Sequence, residues 1–128
     1  MKNDVEFVTA FSECRLKAID HEEHVRLAWI ILQRTPLLEA IHWLVDGFSK
    51  FAKAKGKPEV YHETITWAFT ILINKCLERF GRDTDQEQFA FESPDLFRGQ
   101  MLLDDLYQAC ALKSSLARRT FVFPDRCR

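Results

Sequence analysis

Polar side chains recur at every fourth position in an otherwise apolar stretch that runs from Tyr61 to Asn74. They are His62, Thr66, Thr70 and Asn74. Residues four apart are neighbours on an α-helix, so these groups would form a polar stripe along a helix apolar enough to be buried. Buried polar groups require a protein partner, a water molecule or a ligand. The stripe therefore predicts either a pocket or a hydrogen-bonded polar core.

The triplet Tyr61-His62-Glu63 at the start of this stretch could carry proton-transfer chemistry. An imidazole beside a carboxylate can act as an acid/base pair, and the phenol can donate a proton or a hydrogen bond. With His24, these three residues are the predicted catalytic groups. The alternatives are that Glu63 only favours the positive end of the helix, and that His62 only satisfies a neighbouring core group.

His21 and His24 are three residues apart, so both would lie on one side of a helix. With His62 as a third ligand they predict a divalent metal site, to which Glu63 could add a carboxylate. The spacing differs from that of the zinc-protease motif HExxH. The alternative, a commoner case, leaves His21 exposed and makes His24 a hydrogen-bonded core residue.

Arg26 stands among apolar residues, and Arg118 precedes an aromatic tail. A buried guanidinium requires a carboxylate or a bound anion, so Arg26 is predicted to anchor an anionic ligand. Arg118 is a second candidate anchor, for which the commoner alternative is a surface role. For Arg26 the alternative is a structural ion pair with Glu63 or Asp46. The basic run at residues 50–57 is interpreted as a solvated helix end.

Thr66 is the third predicted ligand-binding residue, because it lies one turn beyond His62 in the polar stripe. Its hydroxyl has a simpler alternative, shared with Thr64 and Thr70. Each threonine could donate a hydrogen bond to the carbonyl group one turn earlier in its own helix.

The elements that must position these residues are all predicted to be helical. The longer helical patterns cover residues 4–17, 21–33, 36–55 and 60–80, and shorter ones cover residues 84–91, 101–112 and 115–119. The second pattern is apolar nearly all round, which is typical of a central helix. The tail at 120–125 is predicted to be irregular and to pack onto the body. Residues 1–128 are therefore predicted to form one compact, single-domain, all-α bundle.

Several helix ends carry recognisable signals. Capping boxes are predicted where Asp20 or Thr84 is followed three residues later by glutamate, Thr35 is a predicted cap before Pro36, and Gly81 is a predicted stop.

Composition excludes several classes of partner. The charged fraction is 29% with a net charge of −1, so neither nucleic acid nor an anionic membrane surface is a predicted partner. No apolar run approaches the roughly 18 residues of a membrane span, and no secretory leader is recognised. The four cysteines are far apart and are predicted to be free thiols, which favours a cytoplasmic location. Homodimerisation is the default expectation for a small helical domain.

Three motifs in this order resemble a family of short uncharacterised bacterial all-helical proteins. They are His21-x-x-His24, Tyr61-His62-Glu63-x-x-Thr66 and the segment Ala117-Arg118-Arg119-x-Phe121-Val122-x-Pro124-Asp125. Many members carry Trp-Thr where this chain has Ile19-Asp20, so the mouth of a pocket would differ. The resemblance implies no reaction. It implies that His24, Tyr61 and His62, with the tail at 118–125, belong to one site.

Two functional hypotheses follow. The first is a small-molecule pocket between the second and fourth helices, working as a metal-dependent or acid/base enzyme or as a binding site. It predicts that His24 and His62 face each other across a cavity. The second is a non-enzymatic interaction module, in which hydrogen bonds seal the histidines in a structural polar core and an exposed face carries the function.

Overall fold

Every regular element in the computed structural model, which describes residues 4–83 and 85–126, is helical. The α-helices in these residues are α1 (Asp4–Ser12), α2 (His21–Leu32), α3 (Leu37–Ala54), α4 (Glu63–Phe80), α5 (Gln86–Glu92), α6 (Gln100–Leu106), α7 (Ala109–Leu112) and α8 (Ser115–Arg119). Short 3₁₀-helices lie at Pro58–Val60 and Pro94–Arg98. The predicted all-α bundle is confirmed. No helix in the described ranges is long and apolar enough to cross a membrane.

The central element is α2, as its apolar pattern predicts. Its N-terminus carries the predicted capping box: the Glu23 amide donates to the Asp20 carboxylate at 2.8 Å, and the Asp20 amide donates to the Glu23 carboxylate at 3.2 Å. Val25 and residues 27–32 are all buried. The helix packs against α3, α4 and the 3₁₀-helix Pro94–Arg98, so nearly its whole circumference is covered.

An aromatic cluster joins α1 to α3. The Phe11 ring lies 5.2 Å from the Phe48 ring and 5.8 Å from the Phe51 ring, measured between centroids. A Cβ atom at Gly47 would lie 2.6 Å from the Phe11 ring, so α1 can approach α3 this closely only over a glycine. The cluster fixes the positions of Phe48 and Phe51 beside α2.

α4 begins later than its apolar pattern predicts. Residues 58–60 form the short 3₁₀-helix, and the α-helix starts at Glu63 with His62 as its N-cap. The His62 ring accepts a hydrogen bond from the Ile65 amide at 3.2 Å, which satisfies an otherwise unpaired donor of the first turn. Tyr61 and His62 therefore lie just before α4 instead of on it. Gly81 ends α4 with a φ of 103°, as predicted.

Two other predicted helix boundaries need correction. α1 ends at Ser12 instead of near residue 17, because Cys14 adopts a positive φ of 59° that an α-helix cannot accommodate. Pro36, without a side-chain cap, precedes α3, while the Thr35 hydroxyl donates to the Ile31 carbonyl of α2 at 3.0 Å. The capping role predicted for Thr35 is wrong, since its hydroxyl is committed to the preceding helix.

The C-terminal third is more broken than predicted. The single helix predicted over residues 101–112 divides into α6 and α7, because Tyr107 is extended and buries its ring while its hydroxyl donates to the Val122 carbonyl at 2.7 Å. The capping box predicted at Thr84 lies outside the described residues; Asp85 caps α5 by accepting from the Gln88 amide. Cys14, Cys76 and Cys110 are free thiols as predicted, and Cys127 lies outside the described residues.

The tail after α8 packs onto the body, as predicted. The Thr64 hydroxyl donates to the Thr120 carbonyl at 2.8 Å and accepts from the Val122 amide at 3.1 Å. The Phe121 ring stacks on Trp67 of α4 at 5.3 Å between centroids. These contacts attach the tail beside the first turns of α4.

Candidate functional site

A pocket of about 520 Å³ lies between α2, α3 and α4, which is within the range of roughly 300–1,000 Å³ typical of small-molecule sites. Its floor consists of buried side chains from the three helices: Ala28, Phe51, Ala52, Phe69 and Thr70. Its walls are half-buried: Ile19, His21, His24, Phe48, Tyr61, His62, Ile65 and Thr66. Exposed lysines form what we call the rim: Lys17, Lys55 and Lys57.

The pocket brings together most of the residues that the sequence singles out. His21, His24, Tyr61, His62 and Thr66 all line it. The first two come from α2, and the last three come from α4 and the residues just before it; the two helices are in contact. The other predicted site residues, which are Arg26, Glu63 and Arg118, are not among its lining residues.

His24 is the polar group that the protein leaves available in this pocket. Its ring stacks on Phe48, with centroids 4.4 Å apart and planes inclined by 20°. Neither ring nitrogen forms a hydrogen bond with another group in the described part of the chain. The pKa of His24 is lowered to about 4, mainly by burial and also by the nearby His21, while Asp20 opposes the shift. The ring is therefore uncharged at neutral pH and can exchange hydrogen bonds with a ligand.

His62 has a structural role that the sequence did not reveal. Its Nε2 lies 2.7 Å from the Leu112 carbonyl, and its Nδ1 accepts from the Ile65 amide. A carbonyl only accepts, so Nε2 carries the proton, and both ring nitrogens are already used. Burial is the main cause that lowers the pKa of His62, and Arg118 adds to it, while the Leu112 carbonyl opposes it. This arrangement is inconsistent with the predicted catalytic and metal-binding roles of His62.

Two substitutions of His62 should distinguish the contributions of its two hydrogen bonds to stability. Asparagine is a good N-cap, so His62→Asn retains the cap and loses only the bond to Leu112, at an expected cost of about 1 kcal/mol in the free energy of unfolding. His62→Ala loses both bonds and should cost about 2 kcal/mol. Urea unfolding of the two variants measures the difference. Equal destabilisation would show that the cap contributes nothing.

His21 is also held by the backbone. Its Nε2 lies 2.7 Å from the Leu96 carbonyl, and its ring meets Phe69 edge-on at 4.7 Å between centroids. Since His62 is likewise committed to a carbonyl, the two rings are oriented by different segments of the chain. Over residues 4–83 and 85–126, no three His, Cys, Asp or Glu side chains are grouped so that they could hold a metal ion. The predicted triad of His21, His24 and His62 is therefore not formed.

Glu63 connects the pocket to the C-terminal tail. One carboxylate oxygen accepts from the Tyr61 hydroxyl at 2.6 Å, and the other accepts from the Trp67 indole at 2.8 Å. Trp67 in turn stacks on Phe121 of the tail. Burial raises the pKa of Tyr61, and the bond to Glu63 raises it further. Tyr61 is therefore a neutral, oriented phenol, and Glu63 acts on the pocket through it.

Neither arginine serves as the predicted anion anchor of the pocket. Arg26 forms an ion pair with Asp4 at 2.7 Å and lies 4.6 Å above the Phe7 ring, so it joins α2 to α1. The structural alternative is therefore the correct one for Arg26, although the partner is Asp4 and not Glu63 or Asp46. Arg118 is exposed and donates to the Glu59 carbonyl at 2.9 Å.

The threonines of α4 divide into two kinds. Thr66 donates to the His62 carbonyl at 2.9 Å and Thr70 donates to the Thr66 carbonyl at 2.7 Å, which confirms the alternative of bonding within the helix. Thr64 instead bonds the tail. At the far end of the stripe, Asn74 accepts from Arg82 at 3.2 Å.

Sequence reasoning does not bring the three rim lysines together. Lys55 and Lys57 belong to the basic run whose pattern is typical of a solvated helix end, and Lys17 lies in the loop before α2. Their approach depends on how α3 packs beside that loop, where the Lys55 ammonium donates to the Cys14 carbonyl at 3.4 Å. The positive charge of these lysines is visible in the sequence, but no sequence pattern predicts that the two segments lie close together.

Comparison with known proteins gives no match for this chain among family models, curated proteins or solved structures. The family resemblance of the three motifs stays a prediction.

Proposed function

We propose that this protein binds a small molecule in the pocket between α2, α3 and α4. The proposal rests mainly on His24. Its ring is half-buried in a wall of the pocket and uncharged, and its nitrogens have no hydrogen-bond partner in the described residues. Its neighbours His21 and His62 are both satisfied by backbone carbonyls. The His24 nitrogens are therefore free to exchange hydrogen bonds with a ligand, which can replace solvent at this position in the wall.

The chemistry of the walls favours binding over acid/base catalysis. A general base is most effective when its pKa lies near the working pH. The His24 pKa of about 4 makes its ring a weak base at neutral pH, and the ring nitrogens of His62 are occupied. A neutral imidazole and a neutral phenol suit recognition of a ligand, in which they fix orientation over an apolar floor.

Two neutral probes of nearly equal shape test the proposal. We expect 4-ethylphenol to bind the wild-type protein more tightly than ethylbenzene, because only the phenol can exchange a hydrogen bond with His24. His24→Phe retains a ring against Phe48 but removes both nitrogens. It should weaken 4-ethylphenol binding by about tenfold and leave ethylbenzene binding nearly unchanged. Isothermal titration calorimetry measures both affinities.

His42→Phe is the matched control, because His42 is exposed on α3 outside the pocket. It should not alter either affinity. If neither probe binds the wild-type protein, or if both histidine variants weaken 4-ethylphenol equally, the proposal is wrong. The interaction module would then be the better hypothesis, with exposed aromatic side chains such as Phe91 and Phe123 as the place to search.

A further inference from the structure

Charge is distributed unevenly around the pocket. Its rim carries Lys17, Lys55 and Lys57, and none of the described residues that line it is acidic. The chain as a whole has nearly balanced charges, with 18 basic and 19 acidic residues. The cationic rim is therefore a local feature, and it attracts negatively charged molecules to the mouth of the pocket.

The rim lysines are not neutralised by the protein. None of them forms an ion pair with an acidic side chain in the parts of the chain that the structure describes. Lys55 makes a long hydrogen bond to the Cys14 carbonyl and lies 5.2 Å above the Phe51 ring, which orients its ammonium group without cancelling its charge. Three cations around one opening repel one another, and a bound anion would relieve that repulsion.

Burial fixes how a ligand would be oriented. The rim lysines are exposed, whereas Phe51, Ala52 and Phe69 on the floor are buried and apolar. Phe48 and Ile65 extend the apolar surface up the walls. An ionised group placed on this floor would lose its hydration without an ionic partner, while an apolar group placed there removes apolar surface from water.

We propose that the ligand is an amphipathic organic anion, whose apolar body lies on the floor of the pocket and whose single negatively charged head lies at the lysine rim. This inference rests on the proposed function, since it names the chemical class that the same pocket accepts. The shared chemistry is a carboxylate or phosphate on an aliphatic or aromatic body. The rim lysines select for a negatively charged head, and the apolar side chains of the three helices accommodate the body of the ligand.

Three probes with the same chain and different heads test the inference: octanoate, 1-octanol and octylamine. At low salt we expect octanoate to bind about tenfold more tightly than 1-octanol, because only its carboxylate can form ion pairs with the exposed rim lysines, each of which adds a modest gain. Octylamine, a cation at neutral pH, should bind most weakly of the three. The advantage of octanoate should shrink at about 0.5 M salt, which screens exposed charges. Calorimetric titration measures all three affinities.

Matched triple variants assign the selectivity to the rim. Changing Lys17, Lys55 and Lys57 to Gln should remove the advantage of octanoate while leaving 1-octanol binding unchanged. Changing Lys50, Lys53 and Lys75 to Gln removes the same charge from exposed positions that do not line the pocket, and should retain most of the advantage. Lys55→Arg keeps the charge and should bind octanoate like the wild type.

Equal affinities for the three probes would overturn the inference, as would an equal loss in both triple variants. Failure of all three probes to bind would overturn it as well. None of these results decides the proposed function, which depends on 4-ethylphenol and His24. A pocket that binds 4-ethylphenol but does not distinguish heads of different charge would keep its function and lose its proposed ligand class.

Discussion

The folded state should lose stability as the pH falls from about 7 to 4, and His24 should account for much of the loss. Its pKa is lowered from 6.5 to about 4 in the folded protein. Each unit of difference between folded and unfolded pKa corresponds to about 1.4 kcal/mol, so the full effect approaches about 3 kcal/mol. For a protein of this size, that is a large part of a typical free energy of unfolding of about 5–15 kcal/mol.

The direction of this pH dependence follows from proton binding in the folded and unfolded states. Between the folded pKa of about 4 and the unfolded pKa near 6.5, the unfolded chain binds a proton at His24 that the folded protein does not. Acid therefore favours unfolding. The contribution of His24 to the free energy of unfolding is fully present above pH 6.5 and declines as the pH falls towards 4. The pKa of His62 is also lowered by burial, so it contributes in the same direction. The His24 variant therefore removes only part of the slope.

Urea unfolding at a series of pH values, followed by circular dichroism, measures the effect. His24→Gln keeps a polar side chain but cannot titrate in this range, so its stability should fall less steeply than that of the wild type between pH 6.5 and 4. His42→Gln replaces an exposed histidine and should reproduce the wild-type slope. Identical slopes for wild type and His24→Gln would contradict the assignment of the low pKa to His24.

Local sequence signals predicted the helices that form the pocket. The capping box of Asp20 and Glu23 involves neighbours in sequence, and the apolar run of α2 required a central position whatever surrounded it. Helix ends that depend on distant partners were less predictable. Tyr107 interrupts the helix predicted over residues 101–112, and its hydroxyl bonds a carbonyl in the tail.

The membership of the site was more predictable than the role of each residue. The crossing of α2 and α4 was enough to place His24, Tyr61 and His62 around one pocket. Their roles depend on which ring nitrogens the fold consumes. His62 is satisfied by Leu112, which is fifty positions later in the chain, whereas His24 is not satisfied in the described residues. No periodic pattern in the sequence predicts that difference between the two histidines.

Thr64→Val should be among the most destabilising conservative substitutions in the described chain. Thr64 is 0% exposed, and its hydroxyl makes two hydrogen bonds to the tail, as donor to the Thr120 carbonyl and as acceptor from the Val122 amide. Valine has nearly the same shape, so the change removes both bonds with little loss of packing. The two backbone groups would lose a buried partner, and we expect a cost of about 2–4 kcal/mol in the free energy of unfolding.

Two variants of the same helix isolate this effect. Thr64→Ser keeps both hydrogen bonds and loses only a methyl group, so it should cost about 1 kcal/mol. Thr70→Val removes a hydroxyl that is equally buried but bonds only a carbonyl of its own helix, so it should cost less than about 1 kcal/mol. Urea unfolding ranks the three variants, and limited proteolysis should cut the tail of Thr64→Val first. If Thr64→Val costs no more than Thr70→Val, the tail is not held by Thr64. Tail attachment would then have to depend on other contacts, among them the stacking of Phe121 on Trp67, the bond from Tyr107 to Val122 and the bonds of Asp125 and Arg126 to residues 106–108.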